Sequence, residues 1–480
     1  MKKSITKNYI YNLIYQLMVI ILPLVTTPYV SKVLGAENVG IYSYTLSIAT
    51  YFILFGTLGI SMYAQREIAY VQEKSKERTK IFWEIIILRA CTMFISILVF
   101  YILYVNGTQY QIYYKVLILE LVATCFDISW FFQGLEEFKK TVLRNTIVKI
   151  ISVVCIFMFV KTKEDLTIYF IIYVLSNLFG NLSLWIYLPK YISKIDIKQL
   201  EIRKHIKPTI SLFIPQIAIQ IYTVLDKTMI GKILGDMSEV GNYEQSQKII
   251  KLSLTLVTSL GTVVSPRIAN TIANNKKEEV EGYLTKSFNF VWFFGVPIMF
   301  GIIAIATNLV PWFLGEEFKN SVVILMCGAP IIISLGLNNV SGVQYLIQAK
   351  KQNIFTKSVI IGAIFNFIMN MILIPILKAT GAMISSVLAE TLILFIQLVD
   401  IRNEISLKIV YKNSVKYLIS GVIMFGVVFI IGVFMKPTII ATMIQIIVGI
   451  IIYGIMLIVL KDKLLYSMLD KVKYKIMKGN

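Results

Sequence analysis

Fourteen stretches of about 20 or more mainly apolar residues follow one another along this 480-residue chain. They lie near 10–33, 39–65, 81–105, 112–135, 142–160, 167–189, 208–231, 240–272, 287–310, 321–347, 357–377, 380–401, 414–435 and 438–460 (spans 1–14). A helix rises about 1.5 Å per residue and the hydrocarbon core of a bilayer is about 30 Å thick, so each stretch can cross it once. The expected fold class is therefore an all-α polytopic membrane protein with fourteen transmembrane helices. Only 15% of residues are charged, against about a quarter in soluble domains.

The connecting segments alternate in character. "YVQEKSKERTK", "PKYISKIDIKQLEIRKHIK" and the tail "KDKLLYSMLDKVKYKIMKGN" are basic, whereas "NGTQYQ" and "LGEEFKN" are short and poor in Lys and Arg. By the positive-inside rule both termini are cytoplasmic. The formal charge of +20 is then mainly a signal of topology, and no nucleic-acid partner is expected. The basic N-terminus runs into an apolar segment without a small-residue cleavage site, so it reads as the first span.

Cys91, Cys125, Cys155 and Cys327 all sit in apolar runs without metal-ligand spacing, and read as small core residues with neither a zinc site nor a disulfide framework. The single histidine, His205, lies in a basic connection, which argues against a histidine-based triad or metal site. No metal is expected, and enzymatic chemistry is not. With no connection long enough for a soluble domain, function must reside among the helices.

A repeat organises the spans. Lys32, Leu34 and Gly35 recur as Lys232, Leu234 and Gly235, and one inserted residue later Val39, Gly40 and Tyr42 recur as Val240, Gly241 and Tyr243. The register holds through a whole span, since Arg66 matches Arg267, and each is followed by a charged connection, "EKSKER" or "NNKKEE". Spans 1–6 and 7–12 thus read as two copies of one six-helix unit. An even number of spans keeps both copies in one orientation, so the pseudo-two-fold runs along the membrane normal. The division is 1–200, 201–405, and 406–480 for spans 13 and 14 with the basic tail. Gly35 and Gly235 suit a helix C-terminus that needs positive φ.

The two-times-six arrangement with two added helices, the paired "LG…VG.Y" bends and "DISWFFQGLEEFKK" (Asp127 to Lys140) together resemble the Wzx-type polysaccharide repeat-unit flippases (O-antigen, capsule, exopolysaccharide). These belong to the multidrug/oligosaccharidyl-lipid/polysaccharide exporter superfamily. The resemblance implies a MATE-like fold of two six-helix bundles, and transport of an undecaprenyl-diphosphate-linked oligosaccharide across a bacterial plasma membrane by alternating access. It implies no cofactor beyond H+ or Na+ coupling, and as partners the bilayer, a polysaccharide polymerase and a chain-length regulator. Two rival readings stay open: a flippase of lipid II or another cell-wall precursor, and a MATE-type multidrug exporter, which normally stops near twelve spans.

Ionisable residues inside spans cost about 2.5–3.5 kcal/mol each on insertion scales and need a partner or a wet cavity. Asp226 and Lys227 in span 7, and Lys248 and Lys251 in span 8, stand where the first repeat has Thr26, Thr27, Ser47 and Thr50. Cations there suit an anionic diphosphate or acidic sugar. Glu244 and Lys248 can instead pair at i, i+4. No acidic residue lies one turn from Lys251 in the sequence, which makes it the expected substrate-facing residue. Arg66 and Arg267 could capture a lipid diphosphate or serve as interfacial anchors.

Arg89, Asp127 and Lys149 fall at one depth in spans 3–5 and are expected to form a structural cluster around an Arg89–Asp127 ion pair, with ion coupling as the competing role for Asp127. Glu120 and Glu390 are the better candidates for a coupling carboxylate. "WFFQG" suits a lipid-tail groove or sugar stacking, and Trp130 by itself suits an interfacial belt.

Overall fold

The computed structural model describes residues 5–194 and 197–478, and no strand occurs among the described residues. Eleven helices among them are long and apolar enough to cross a membrane. Two of these, Ile21–Tyr70 and Gln352–Ile401, run for 50 residues, about 75 Å if straight and so twice the required length. Each is broken by a residue with non-helical backbone, at Gly35 (φ 78°, ψ 173°) and at Lys378 (φ 54°, ψ −137°). Dividing them there and adding the 29-residue helix Ile206–Leu234 recovers the fourteen spans.

The bends answer to backbone geometry. Gly235 has φ 67° and ψ −1°, a left-handed conformation costing an L side chain roughly 1–2 kcal/mol, and Gly35, at φ 78° and ψ 173°, is in a region essentially confined to glycine. Gly40 and Gly241 serve a different end. A Cβ at Gly40 would lie 1.7 Å from the Met237 carbonyl oxygen, and one at Gly241 would lie 2.0 Å from that of Ala36. The two contacts are reciprocal under the repeat, and only hydrogen side chains permit so close a backbone crossing.

The chain divides into two compact units, Met1–Gly241 and Asn242–Asn480. The first contains Ile206–Leu234, so span 7 packs with the spans of the first repeat. One end of this unit is held by an aromatic core. Trp130, Phe131 and Phe132 are at most 1% exposed and pack with Phe82, Tyr63 and Leu184. This corrects the expectation for "WFFQG": these rings form neither an interfacial belt nor an open groove, because the short helix Ser129–Gly134 turns them inward against spans 2, 3 and 6. The cysteine reading also needs correction, since Cys91 is exposed and the other three are half-buried.

In the second unit, exposed Val415, Val422, Ile450, Ile451 and Val459 line the outer faces of spans 13 and 14, as a lipid-facing surface requires. A further helix, Lys463–Lys478, follows span 14.

Candidate functional site

Buried polar groups inside a bundle identify where packing alone is not the purpose. In the first unit, Glu120 of span 4 is 7% exposed. Asn177 of span 6 donates its amide to both carboxylate oxygens, at 3.0 and 3.1 Å. One turn further along the helix, Asn181 donates to the Ala123 carbonyl at 2.7 Å and accepts from Arg144 Nη1 at 2.6 Å. Spans 4, 5 and 6 are thus joined by one polar ladder.

The second unit builds the counterpart. Asn338 of span 10 donates to Glu390 Oε2 of span 12 at 2.6 Å and to the Glu390 carbonyl at 2.9 Å. Directly after Asn338 the helix widens to a π-helical stretch, Asn339–Leu346, a distortion often found at functional sites. The ladder continues through Ser341 to Gln397 at 2.6 Å and from Gln397 to Ser358 at 3.1 Å. Spans 4 and 6 correspond to spans 10 and 12, so each repeat carries a buried carboxylate–carboxamide pair between the same two helices. The carboxylate sits on span 4 in one and on span 12 in the other.

The cationic candidates are spread more widely. Lys248 pairs with Glu244 at 3.5 Å, the local i, i+4 arrangement. Lys251 is exposed one turn further along the same helix. Asp226 is buried and Lys227 half-buried within the first unit. Their neighbour Thr228 lies 2.9 Å from Ser47 Oγ and 3.2 Å from Tyr51 Oη, which ties span 7 to span 2. Arg66 reaches Glu67 at 3.1 Å and lies over the Tyr63 ring, while Arg267 is exposed.

The expected Arg89–Asp127 ion pair is replaced by a different contact. Arg89 is 1% exposed, and its Nη1 donates to the Asp127 carbonyl at 2.8 Å. The Asp127 carboxylate turns away to accept from Ser129 N at 2.9 Å, at the start of the Ser129–Gly134 helix. The half-buried Asp127 carboxylate is thus engaged locally by the chain that follows it. Lys149 is half-buried on Phe138–Phe159.

One centre escapes the sequence altogether. Glu84 is fully buried, with His205 2% exposed and Tyr63 5%. Tyr63 Oη lies 2.7 Å from His205 Nδ1, and His205 Nε2 lies 2.8 Å from Glu84 Oε2. Lys204 Nζ approaches Glu84 Oε2 at 3.0 Å, and Glu201 N donates to Oε1 at 2.7 Å. A carboxylate this enclosed is tenable only with such compensation. The chain tethers the connection before span 7 to spans 2 and 3, and nothing in the local sequence around His205 signals it.

Comparison with known proteins follows the same lines. The chain is 26% identical over 407 residues to a protein of Escherichia coli (strain K12) described as an O-antigen transporter, covering 84% of this chain and 98% of that relative. It is 23% identical over 210 residues to a Haloferax volcanii protein described as a low-salt glycan biosynthesis flippase, covering 44% of it. Among solved structures it resembles lipid II flippase MurJ in an inward closed conformation, with TM-score 0.77 and 18% identity, covering 95% of this chain and 99% of that one. An inward-facing MATE transporter matches with TM-score 0.65 and 11% identity, covering 83% and 98%. These likenesses give the fold as that shared by MurJ and the MATE transporters. Residues 5–272 match the polysaccharide biosynthesis protein family, more than half of the chain, and the protein belongs to that family.

Proposed function

We propose that this protein moves undecaprenyl-diphosphate-linked oligosaccharide repeat units from the inner to the outer leaflet of a bacterial plasma membrane by alternating access, with both termini cytoplasmic. The observation that carries the reading is coverage. The likeness to the O-antigen transporter extends over 98% of that relative, so it spans a whole transporter and not one shared segment.

Site roles follow from chemistry. In the second unit exposed Lys251, with Lys248, and in the first unit Lys227 and Asp226, supply charged groups for the diphosphate and sugars, and Arg66 and Arg267 offer guanidinium forks at the inner ends of spans 2 and 8. Glu120 and Glu390 serve H+ or Na+ coupling. Each is buried inside a bundle and accepts from an amide of a neighbouring span, and ionisable groups at such a depth mark ion or proton pathways.

The test is deletion of the gene with analysis of lipid intermediates. Lipid-linked repeat units should accumulate on the inner leaflet, and the wild-type gene should clear them. Accumulation of lipid II in their place would replace this reading by the cell-wall one. Lys251→Gln should restore export about tenfold less well, the loss of one charge-assisted contact. Undiminished export would take Lys251 off the path.

A further inference from the structure

The second unit holds a cavity of about 440 Å³ at the ends of spans 9, 13 and 14 that the charge pattern assigns to the cytoplasm, lined by Lys286, Lys412, Lys416 and Lys463 with the polar side chains Thr285 and Ser467. Its walls are built by specific contacts. Asn413 donates to Asn289 Oδ1 at 3.0 Å, fixing the start of span 13 against span 9. After span 14 the backbone turns through Lys461 at φ 49°. Asp462, whose side chain is 2% exposed, then accepts from Leu464 N and Leu465 N at 3.0 Å each and from Tyr417 Oη at 3.1 Å. That buried cap anchors the tail helix to span 13 and sets Lys463 facing the cavity.

Asp462 lies 3.7 Å from Lys416 and is the one carboxylate lining the cavity among the described residues. Four ammonium groups against one carboxylate leave three positive charges uncompensated. Another cavity, of about 340 Å³, differs: it is lined by Lys276, Lys277, Glu281 and Glu404, and the charges balance. The exposed apolar faces of spans 13 and 14 end at Val415 and Val459, next in the chain to Lys416 and shortly before Asp462, which line the cavity. An occupant with a hydrocarbon tail would keep the tail against these faces while its head lies among the lysines. Basic pockets between helices on the cytoplasmic side are suited to phosphate headgroups, which lysine holds as a point charge.

We infer that this cavity binds the diphosphate headgroup of a membrane lipid. The charge excess selects the class, since a phosphodiester brings one negative charge and a diphosphate brings two or more. That the bound lipid is also the transported one rests on the function proposed above; binding itself does not.

The experiment measures lipid retained by the purified full-length protein by native mass spectrometry, with a polyprenyl diphosphate, phosphatidylglycerol and inorganic pyrophosphate as separate probes. The polyprenyl diphosphate should be retained about tenfold better than phosphatidylglycerol. Lys412→Gln with Lys463→Gln should abolish that preference, and Lys412→Arg with Lys463→Arg should keep it. Ser467→Glu, an exposed position on the tail helix, adds an opposing charge without touching the lysines and should weaken retention likewise. Equal retention of phosphatidylglycerol would overturn the diphosphate assignment, and inorganic pyrophosphate binding as well as the lipid would overturn the lipid one. Retention unchanged in both the glutamine variant and Ser467→Glu would remove the site. Loss of the preference alongside normal export would separate this site from the transport reading.

Discussion

Gly35 and Gly40 of the first repeat recur as Gly235 and Gly241 of the second, residue for residue. The buried pair Glu120–Asn177 recurs as Asn338–Glu390, with the two side chains exchanged between the helices. The difference separates two kinds of constraint. A left-handed φ or a backbone crossing admits one residue type, so the residue itself repeats. A hydrogen bond between two buried helices needs one donor and one acceptor but is indifferent to which helix supplies which. What repeats there is the pair.

The comparison breaks most severely at the crossing. Gly40→Val and Gly241→Val each push a side chain into a carbonyl oxygen, and a backbone atom cannot give way as a flexible side chain can. The expected cost of each is at or above the ~3 kcal/mol upper end of ordinary overpacking. Either variant should lose most of its monodisperse yield, with the thermal midpoint of the remainder lowered. A Gly40→Val protein with wild-type stability would show that the crossing is not a fixed feature of the fold.

The exchanged pair supplies a sharper test. Asn177→Ala should cost about 1–3 kcal/mol by leaving the Glu120 carboxylate without its amide. Glu120→Asn combined with Asn177→Glu writes into the first unit the arrangement that the second already uses. The double variant should recover most of the stability lost by the two single ones, read as a coupling energy in thermal unfolding. Losses that simply add would mean that the two pairs are alike by coincidence.

How much of this could be read from the chain depends on where the cause lies. Span lengths, the bends at Gly35 and Gly235, and the Glu244–Lys248 pair are local, and the sequence carries them openly. Trp130 is different. Lipid and protein interior are both apolar, so hydropathy cannot distinguish a ring facing a tail from one packed on Phe82. The Arg89–Asp127 contact was legible as proximity but not as chemistry, because Arg89 meets the Asp127 carbonyl while the carboxylate accepts from Ser129 N. The Glu84–His205 bond joins residues 121 positions apart and leaves no periodic trace.

The smallest expected effect lies at the bends themselves, and it tells the two glycine pairs apart. Gly235→Ala meets nothing within 4 Å, so its cost is the left-handed conformation alone, about 1–2 kcal/mol. Gly35→Ala should cost more, because φ 78° with ψ 173° is a region essentially confined to glycine. Asn tolerates the left-handed region better than Ala, so Gly235→Asn should recover part of the loss in thermal unfolding. At Gly241 the obstacle is the Ala36 carbonyl at 2.0 Å, which no choice of backbone preference relieves, so Gly241→Asn should be no better than Gly241→Ala. If Asn rescued both positions equally, the division between a conformational glycine and a contact glycine would fail.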